Sequence, residues 1–352
     1  MSSVIRVAPF TVEWVDPVRA FNQRIAASRQ QLPESPQPML LPGSEVFLAT
    51  EGDAVRGGYI LRRQKFFAAG RPIDVAHYRL PLSEGVVDRR YATLGLRLVR
   101  DAVAREPRLY ALGMGGWSRP LPQMLKRLGW RMCEVPFHFK VLRPSRFLRN
   151  IRVVRTTMLR RLVLDAAALT GAGWVGMKVV GHGARLAPEK HEMEAAFDAW
   201  ADPIWTRSQS AYAMIAQRDA ATLEALYPES DDKFMRVHAD VGWAVALDTQ
   251  MHGHLQFGDM RVGSIVDCLA APEQASAVIR AAAGELEQRG VDLMISNQLH
   301  GAWSEALRQA GFRKGPSNFL LALSPALAEC VSGAGDESFH FNRGDGDGPI
   351  HL

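Results

Sequence analysis

Between residues 44 and 87 apolar side chains concentrate in three runs, EVFLAT, AVRGGYILRRQKFFA and IDVAHYRLPLSEGVV. Glu51-Gly52-Asp53 and Ala69-Gly70-Arg71-Pro72 separate them. Runs rich in β-branched, aromatic and aliphatic residues, broken by such turns, predict an antiparallel meander. The pattern then changes. Leu94, Leu96, Leu98, Val99, Ala102 and Val103 recur at helical spacing up to Arg105-Glu106-Pro107. A strand ending at Val86 and Val87 is therefore expected to pass through a short basic loop into an amphipathic helix. LYALGMGG reads as a short apolar strand, SRPLPQMLKRLGW as a helix with a Gly-Trp stop, and MCEVPFHFKVL as one closing strand. Ahead of the meander, an extended segment over residues 2–15, a helix over 16–29 and a Pro-rich loop are expected.

The second half repeats this order. KFMRVHADVGWAVALDTQMHGHLQFGDMRVGSIVDCLA supplies strands and turns, and PEQASAVIRAAAGELEQRGV a long helix with Ala277, Ile279, Ala282 and Leu286 on its apolar stripe. DLMISNQL is a short strand, SEALRQAGF a helix with a Gly-Phe stop, and NFLLALSP a closing strand. LKRLGWRMCEVPFHFKVLRP and LRQAGFRKGPSNFLLALSP share one anatomy: helix, Gly-aromatic, polar turn, apolar strand, proline. This pattern predicts an internal duplication at domain scale. Domains are expected at 1–148 and 149–330, with a polar Gly-rich tail over 331–352 that packs back on the second. Around residues 150–195, a strand at Trp174–Val180, then His182 and a charged helix in EKHEMEAAFDAW, are expected to open the second domain.

The chain has 352 residues, 47% of them hydrophobic and 22% charged, the composition of a globular protein with room for two cores. It has no apolar run of about 18 residues and no apolar leader, so neither a span nor a signal peptide is expected. Three scattered cysteines, Cys133, Cys268 and Cys330, fit free thiols in a reducing cytoplasm. The net charge of +5 is uneven: residues 1–150 carry 24 Lys and Arg against 12 Asp and Glu, and the remainder 18 against 25. A basic half fits a polyanion or a phosphate-bearing ligand. Basic clusters interleaved with aromatics are missing, which favours the ligand over nucleic acid.

Arg89 and Arg90 stand just before the first amphipathic helix. Two cations there oppose the helix dipole unless an anion sits between them and the free N–H groups of the first turn. Arg90-Tyr91-Ala92-Thr93-Leu94-Gly95, following a meander and leading into a strand–helix–Gly-Trp sequence, resembles the Gln/Arg-x-x-Gly-x-Gly/Ala loop of GNAT-type N-acyltransferases. Arg90 and Gly95 keep the pattern and Thr93 replaces the middle glycine. The likeness spans roughly residues 40–145 and, less closely, 175–325. At the corresponding place the second copy has Pro272 and Glu273 and no glycine, which suits ordinary helix capping. Tandem GNAT and FemAB-like proteins of bacterial surface-polysaccharide loci are similar in arrangement.

The resemblance implies an α+β fold of two GNAT-like domains, each a mixed, mostly antiparallel sheet flanked by helices. It implies transfer of an acyl group from acetyl-CoA or another acyl-CoA to a small-molecule amine, with an amino sugar as the narrower acceptor. Carried over, the pyrophosphate lies on Arg89, Arg90, Thr93, Leu94 and Gly95, with Ser118 either beside it or capping its own helix. A backbone N–H of Val86 or Val87 polarises the thioester carbonyl, and Glu84 or Ser83 serves as base or orders water. A tyrosine that protonates the leaving thiolate is replaced by Leu125 in the first copy and Leu307 in the second. Asn297 and His300, after the second short strand, are candidates for contacting the acceptor or for capping a loop. His138, between aromatics on a strand, reads as structural. His252 and His254 beside Asp259 lack a third ligand at zinc spacing. Two other readings stay open: a non-catalytic scaffold on degenerate domains, and an aminoacyl-tRNA-dependent transferase, which the basic half permits.

Overall fold

The stretch read as a meander becomes β2 (Ser44–Glu51), β3 (Ala54–Ala68) and β4 (Arg71–Ser83), with β1 (Arg6–Pro9) on the outer edge of β2. The computed structural model describes residues 4–36, 41–150 and 189–346. After β4 come α2 (Leu94–Arg105), β5 (Leu109–Leu112), α3 (Pro120–Arg127) and β6 (Arg131–Glu134). The helix preceding the meander is α1 (Val15–Arg24). Its Val18 and Phe21 pack against Val46, Leu48 and Ile60 on one sheet face. Leu94, Leu98, Val99 and Ala102 of α2, with Leu125 of α3, pack on the other face against Phe47, Tyr59, Leu61 and Ala76. Both faces are covered, each by its own helices, so the middle of each strand is a continuous apolar run, Val46–Ala49 in β2 and Tyr59–Leu61 in β3.

The expected single strand in MCEVPFHFKVL is two. Val135-Pro136 interrupts it, and the chain resumes as β7 (Phe137–Val141) in a different sheet. Pro136 has no N–H to continue a ladder, and its carbonyl accepts from the Gln298 N–H at 3.2 Å. The closing strand of the second copy, β15 (Leu320–Leu323), lies between β5 and β6 and is antiparallel to both. The first sheet therefore runs β1-β2-β3-β4-β5-β15-β6.

The second sheet is built from β8 (Glu192–Glu194), β10 (Met235–Ala239), β11 (Gly242–Gln250), β12 (Arg261–Ala270), β13 (Leu293–Asn297) and β14 (Arg313–Gly315), with β7 between β13 and β14. Each sheet thus receives the final strand that the sequence order assigns to the other copy. The compact units are consequently discontinuous. Unit 1 is Met1–Glu134 with Asn318–Ala334, and unit 2 is Val135–Ser317 with Gly335–Leu352, in place of consecutive domains at 1–148 and 149–330. The matching triplets β5-β15-β6 and β13-β7-β14 carry the duplication in three dimensions.

In unit 2, α7 (Ala275–Gln288) buries Val278, Ile279, Ala282 and Leu286, and α8 (Gly301–Gln309) buries Trp303 and Leu307. EKHEMEAAFDAW is not a helix: Glu192–Glu194 form β8, where the Glu194 carboxylate meets His238 Nδ1 of β10 at 3.0 Å. The suggested strand at Trp174–Val180 and His182 lie outside the described residues. The Gly-rich tail is more than surface loop. Its β16 (Phe339–His340) pairs in parallel with β9 (Met214–Ala216), and Phe339, His340, Asn342 and Asp345 are all buried.

Candidate functional site

In unit 1, β4 and β5 are paired in parallel only at Ala76–Leu109 and His77–Tyr110, and beyond these residues the two strands diverge. A bulge bends β4 at this point. Ile60 pairs with Arg79 and Gly58 with Leu82, so Leu80 and Pro81 together oppose Tyr59, and Leu80 takes φ +44°. The loops after β4 and β5 both leave from the diverging end.

The loop after β4 is not the extended segment its valines suggested. β4 stops at Ser83, whose Oγ accepts from the Gly85 N–H at 3.1 Å, and Glu84–Val86 form a 3₁₀ turn. Gly85 is required there, because a Cβ would press on the Tyr91 carbonyl, with its carbon 2.9 Å away. Val86 and Val87 are exposed, and the Val87 N–H donates to the Glu84 carbonyl at 3.0 Å. The expected free donor at Val87 is thus consumed by the turn. Glu84 is buried, with its carboxylate between two guanidinium groups: Arg24 Nε at 3.0 Å from Oε1 and Arg56 Nη1 at 3.2 Å from Oε2. Arg56 also reaches Glu51 at 3.1 Å, and Glu51 accepts from the Tyr91 hydroxyl at 2.6 Å. Every oxygen of Glu84 is occupied, the geometry of an anchor more than of a base poised to take a proton.

Arg90 is exposed but not open. Its Nη2 lies 2.6 Å from Asp88, and this bond is the first cause of the Asp88 carboxyl sitting below its usual range. Arg89 is exposed and pairs with no carboxylate among the described residues. The start of α2 has no side-chain cap at Thr93 and no acid in its first turn. Leu94 is buried in the core, so only its backbone could meet a ligand. The nearest atom to a Cβ added at Gly95 is Met124 Cε at 3.9 Å, so the first turn has room. An uncapped helix start with one free arginine suits a phosphate. The Asp88–Arg90 pair reduces the charge available to it.

On the β5 side, Gly113, Gly115 and Gly116 all have positive φ and lead to the exposed Trp117. Ser118 is exposed and does not cap α3, whose N-cap is Arg119 with Pro120 following. Leu125 is fully buried among the core residues under α2, and Leu307 is equally buried in unit 2.

Unit 2 has the same divergence. β12 and β13 pair in parallel from Val262–Leu293 to Ile265–Ser296, and a bulge at Val266 follows. The next residue, Asp267, is wholly buried, and its carboxylate accepts from Arg218 Nε at 3.0 Å, Tyr227 Oη at 2.8 Å and Asn342 Nδ2 at 2.7 Å. Arg218 continues to Asp345 at 2.8 Å. Burial pulls the Arg218 guanidinium toward neutrality, but Asp267 and Asp345 more than offset this and keep it charged. The sequence reading missed this group. A lone aspartate in the apolar run RVGSIVDCLA was the available signal, since a buried carboxylate must be paired.

Asn297 is buried at the end of β13, with Nδ2 3.5 Å from the Pro136 carbonyl. His300 caps α8 through Nδ1, 3.2 Å from the Ala302 N–H, and burial lowers it to about 4. Burial, then Lys314, lowers His138 to about 4 as well. His254 Nδ1 accepts the N–H groups of Gln256 and Phe257 and so organises its own turn. At the start of α7, Pro272–Gln274 form a 3₁₀ turn carrying Glu273, with neither glycine nor arginine.

No sequence family matches the chain, and no characterised protein matches it by sequence. Its fold has relatives among solved structures. A protein of Enterococcus faecalis V583 described as a "probable N-acyltransferase" is similar with a TM-score of 0.52 and 11% identity, over 92% of this chain and 73% of that one. Saccharomyces cerevisiae N-myristoyltransferase, solved with myristoyl-CoA and inhibitors, gives 0.52 and 10% over 92% and 80%. A GCN5-related N-acetyltransferase of Anabaena variabilis gives 0.51 and 8% over 91% and 72%. The fold is therefore the α+β fold expected, two GNAT-like units with mixed, mostly antiparallel sheets. No helix among the described residues is long and apolar enough to cross a membrane.

Proposed function

We propose that the chain is an N-acyltransferase using acetyl-CoA or another acyl-CoA, with its donor site at the β4–β5 divergence of unit 1. One observation carries the reading: a bulged strand parts from its parallel neighbour immediately before an uncapped helix start that has space over its first turn. The N–H groups of Thr93, Leu94 and Gly95 would hold the pyrophosphate, with Arg89 as the available cation and Arg90 contributing only when Asp88 lets go. The donor supplies an activated thioester carbonyl. The acceptor amine attacks that carbon, the C–S bond breaks, and the proton lost by the amine ends on the CoA thiolate or in solvent.

The chain's own groups set the character of such a reaction. With Leu125 in the core, no side chain at that position protonates the thiolate; a thiol of pKa near 8.5 is a tolerable leaving group without one. With Glu84 held by Arg24 and Arg56, the amine loses its proton mainly to water, so turnover rises with pH. Glu84 then positions the loop, Ser83 caps it, and the Val86 N–H is the donor left for the carbonyl. Asn297 and His300 hold their own loop instead of an acceptor.

The test is a thermal-shift titration with acetyl-CoA and longer acyl-CoAs, followed by an acceptor panel of amino sugars, nucleotide sugars, peptide N-termini and simple amines. An acyl-CoA-dependent rise in Tm and transfer to at least one amine support the reading. Binding without transfer to any acceptor favours a non-catalytic scaffold, toward which the Asp88–Arg90 pair and the consumed Val87 N–H already point. Stabilisation only by charged tRNA would replace the donor altogether.

A further inference from the structure

Unit 2 has the same strand divergence as unit 1, but its own chain runs through it. Past Ser296, β13 no longer pairs with β12; residues 341 and 342 take the vacated edge. The Leu299 N–H donates to the Phe341 carbonyl at 3.0 Å, and Gln298 bridges Asn342 in antiparallel fashion. On the β12 side Asn342 Nδ2 donates to Asp267 at 2.7 Å. The segment is fixed from behind by Arg218, which joins Asp267 to Asp345, while Asp345 Oδ2 accepts from the Asn342 N–H at 2.9 Å. Gly344 fits only without a side chain. A Cβ there would press on the Tyr227 hydroxyl and stand 2.8 Å from Asp267 Oδ2.

We infer that the second unit's divergence is a receptor for the chain's own segment 339–345, an internal latch seated at the place that corresponds to the proposed donor site of the first unit. Asp267 and Arg218 recognise it, as a buried carboxylate and guanidinium would recognise an acidic, amide-bearing peptide from outside. With the latch closed, unit 2 offers no ligand site there, and the chain takes at most one acyl-CoA. The docking itself does not depend on the acyl-CoA reading.

The latch carries a charge-sensitive residue at its root. His340 is fully buried, 4.7 Å from the Tyr212 ring and 6.1 Å from Trp303 between centroids, with neither ring nitrogen hydrogen-bonded. The groups facing it are Arg218 from the loop after β9, His300 from the cap of α8, and the Cys268 backbone on β12. Asp267 and Asp345 are already committed to Arg218. Burial, then Arg218 and His300, hold His340 neutral, far below its ordinary range. Undocked, it takes a proton near pH 6.5; docked, it does not. Acid therefore favours the open latch, and docking is strongest above that pH.

Hydrogen exchange read by mass spectrometry on the full chain tests this. Peptides covering 339–346 and 296–300 should be protected at pH 7.5. In Gly344→Ala and Asp345→Asn they should exchange at least tenfold faster, with peptides of β2–β4 unchanged. After correction for intrinsic rates, protection should fall between pH 7.5 and 5.5 in the wild type but not in His340→Phe, which keeps an aromatic ring in the pocket. Exchange that rises equally in both units, or that stays unchanged in all three variants, overturns the latch. Two equivalents of acyl-CoA bound by the wild type also overturn it. No acyl-CoA bound at all, with the exchange pattern as described, sinks the donor assignment and leaves the latch standing.

Discussion

Glu84→Gln separates a structural anchor from a catalytic base. The amide keeps the shape of the side chain and removes its charge. It also replaces one acceptor oxygen with a donor facing two guanidinium groups. Breaking a buried ion pair from one side costs about 3–5 kcal/mol when the other charge is stranded. Here neither partner is fully stranded. Arg56 keeps Glu51 at 3.1 Å, and Arg24, whose side chain is 35% exposed, keeps the Val55 carbonyl at 2.6 Å. A loss of about 2 kcal/mol is expected, roughly a 30-fold change in the unfolding equilibrium. Urea unfolding followed by far-UV circular dichroism reads it directly, and Arg56→Met combined with Glu84→Gln should be clearly less than additive. An unchanged unfolding midpoint would refute the anchor. So would a variant of full stability that loses one limb of the pH–rate profile on an identified acceptor, since that result assigns Glu84 as the base.

Charge at the start of α2 gives a second prediction. Arg89→Glu should abolish the acyl-CoA-induced rise in Tm, whereas Asp88→Asn, which frees Arg90, should tighten acyl-CoA binding several-fold in a calorimetric titration. Leu125→Tyr should cost about 1–3 kcal/mol by overpacking a filled core and bring no gain in kcat, as urea unfolding and steady-state assays would show. His138 and His300, both held to about 4, stay neutral in the folded chain while the unfolded chain takes up protons below about pH 6.5. Burial holds His77 and His340 neutral in the same way, so stability should be flat above that pH and fall between pH 6.5 and 4, with an uptake of up to four further protons on unfolding from these four residues. Potentiometric titration of native and denatured protein checks the count.

The meander was legible because β2 and β3 are runs rich in β-branched, aromatic and aliphatic residues and their turns carry glycine. Helices α2, α7 and α8 were legible because Leu94–Ala102 and Val278–Leu286 keep helical spacing. The exchange of closing strands was not. FHFKV and LLALS are both short and apolar, and nothing local tells either sheet from the other; only the break at Val135-Pro136 marks the crossing. The arginines and the glycine of the loop could be placed by pattern. Their partners could not, since Asp88 on Arg90 and Arg24 on Glu84 depend on how the loop turns and on a helix 60 residues away. The Arg218–Asp267–Asp345 group joins residues up to 127 positions apart, and only Asp267 stood out from its surroundings.

The central claim is that acyl-CoA is held at the divergence of unit 1 and not at that of unit 2. Hydrogen exchange of the full chain with and without saturating acetyl-CoA tests it in one measurement. The account predicts new protection confined to peptides spanning residues 84–97 and 109–117, with no change over 272–279 or 293–299. Protection at 272–279, or none at 84–97 despite measured binding, would contradict it.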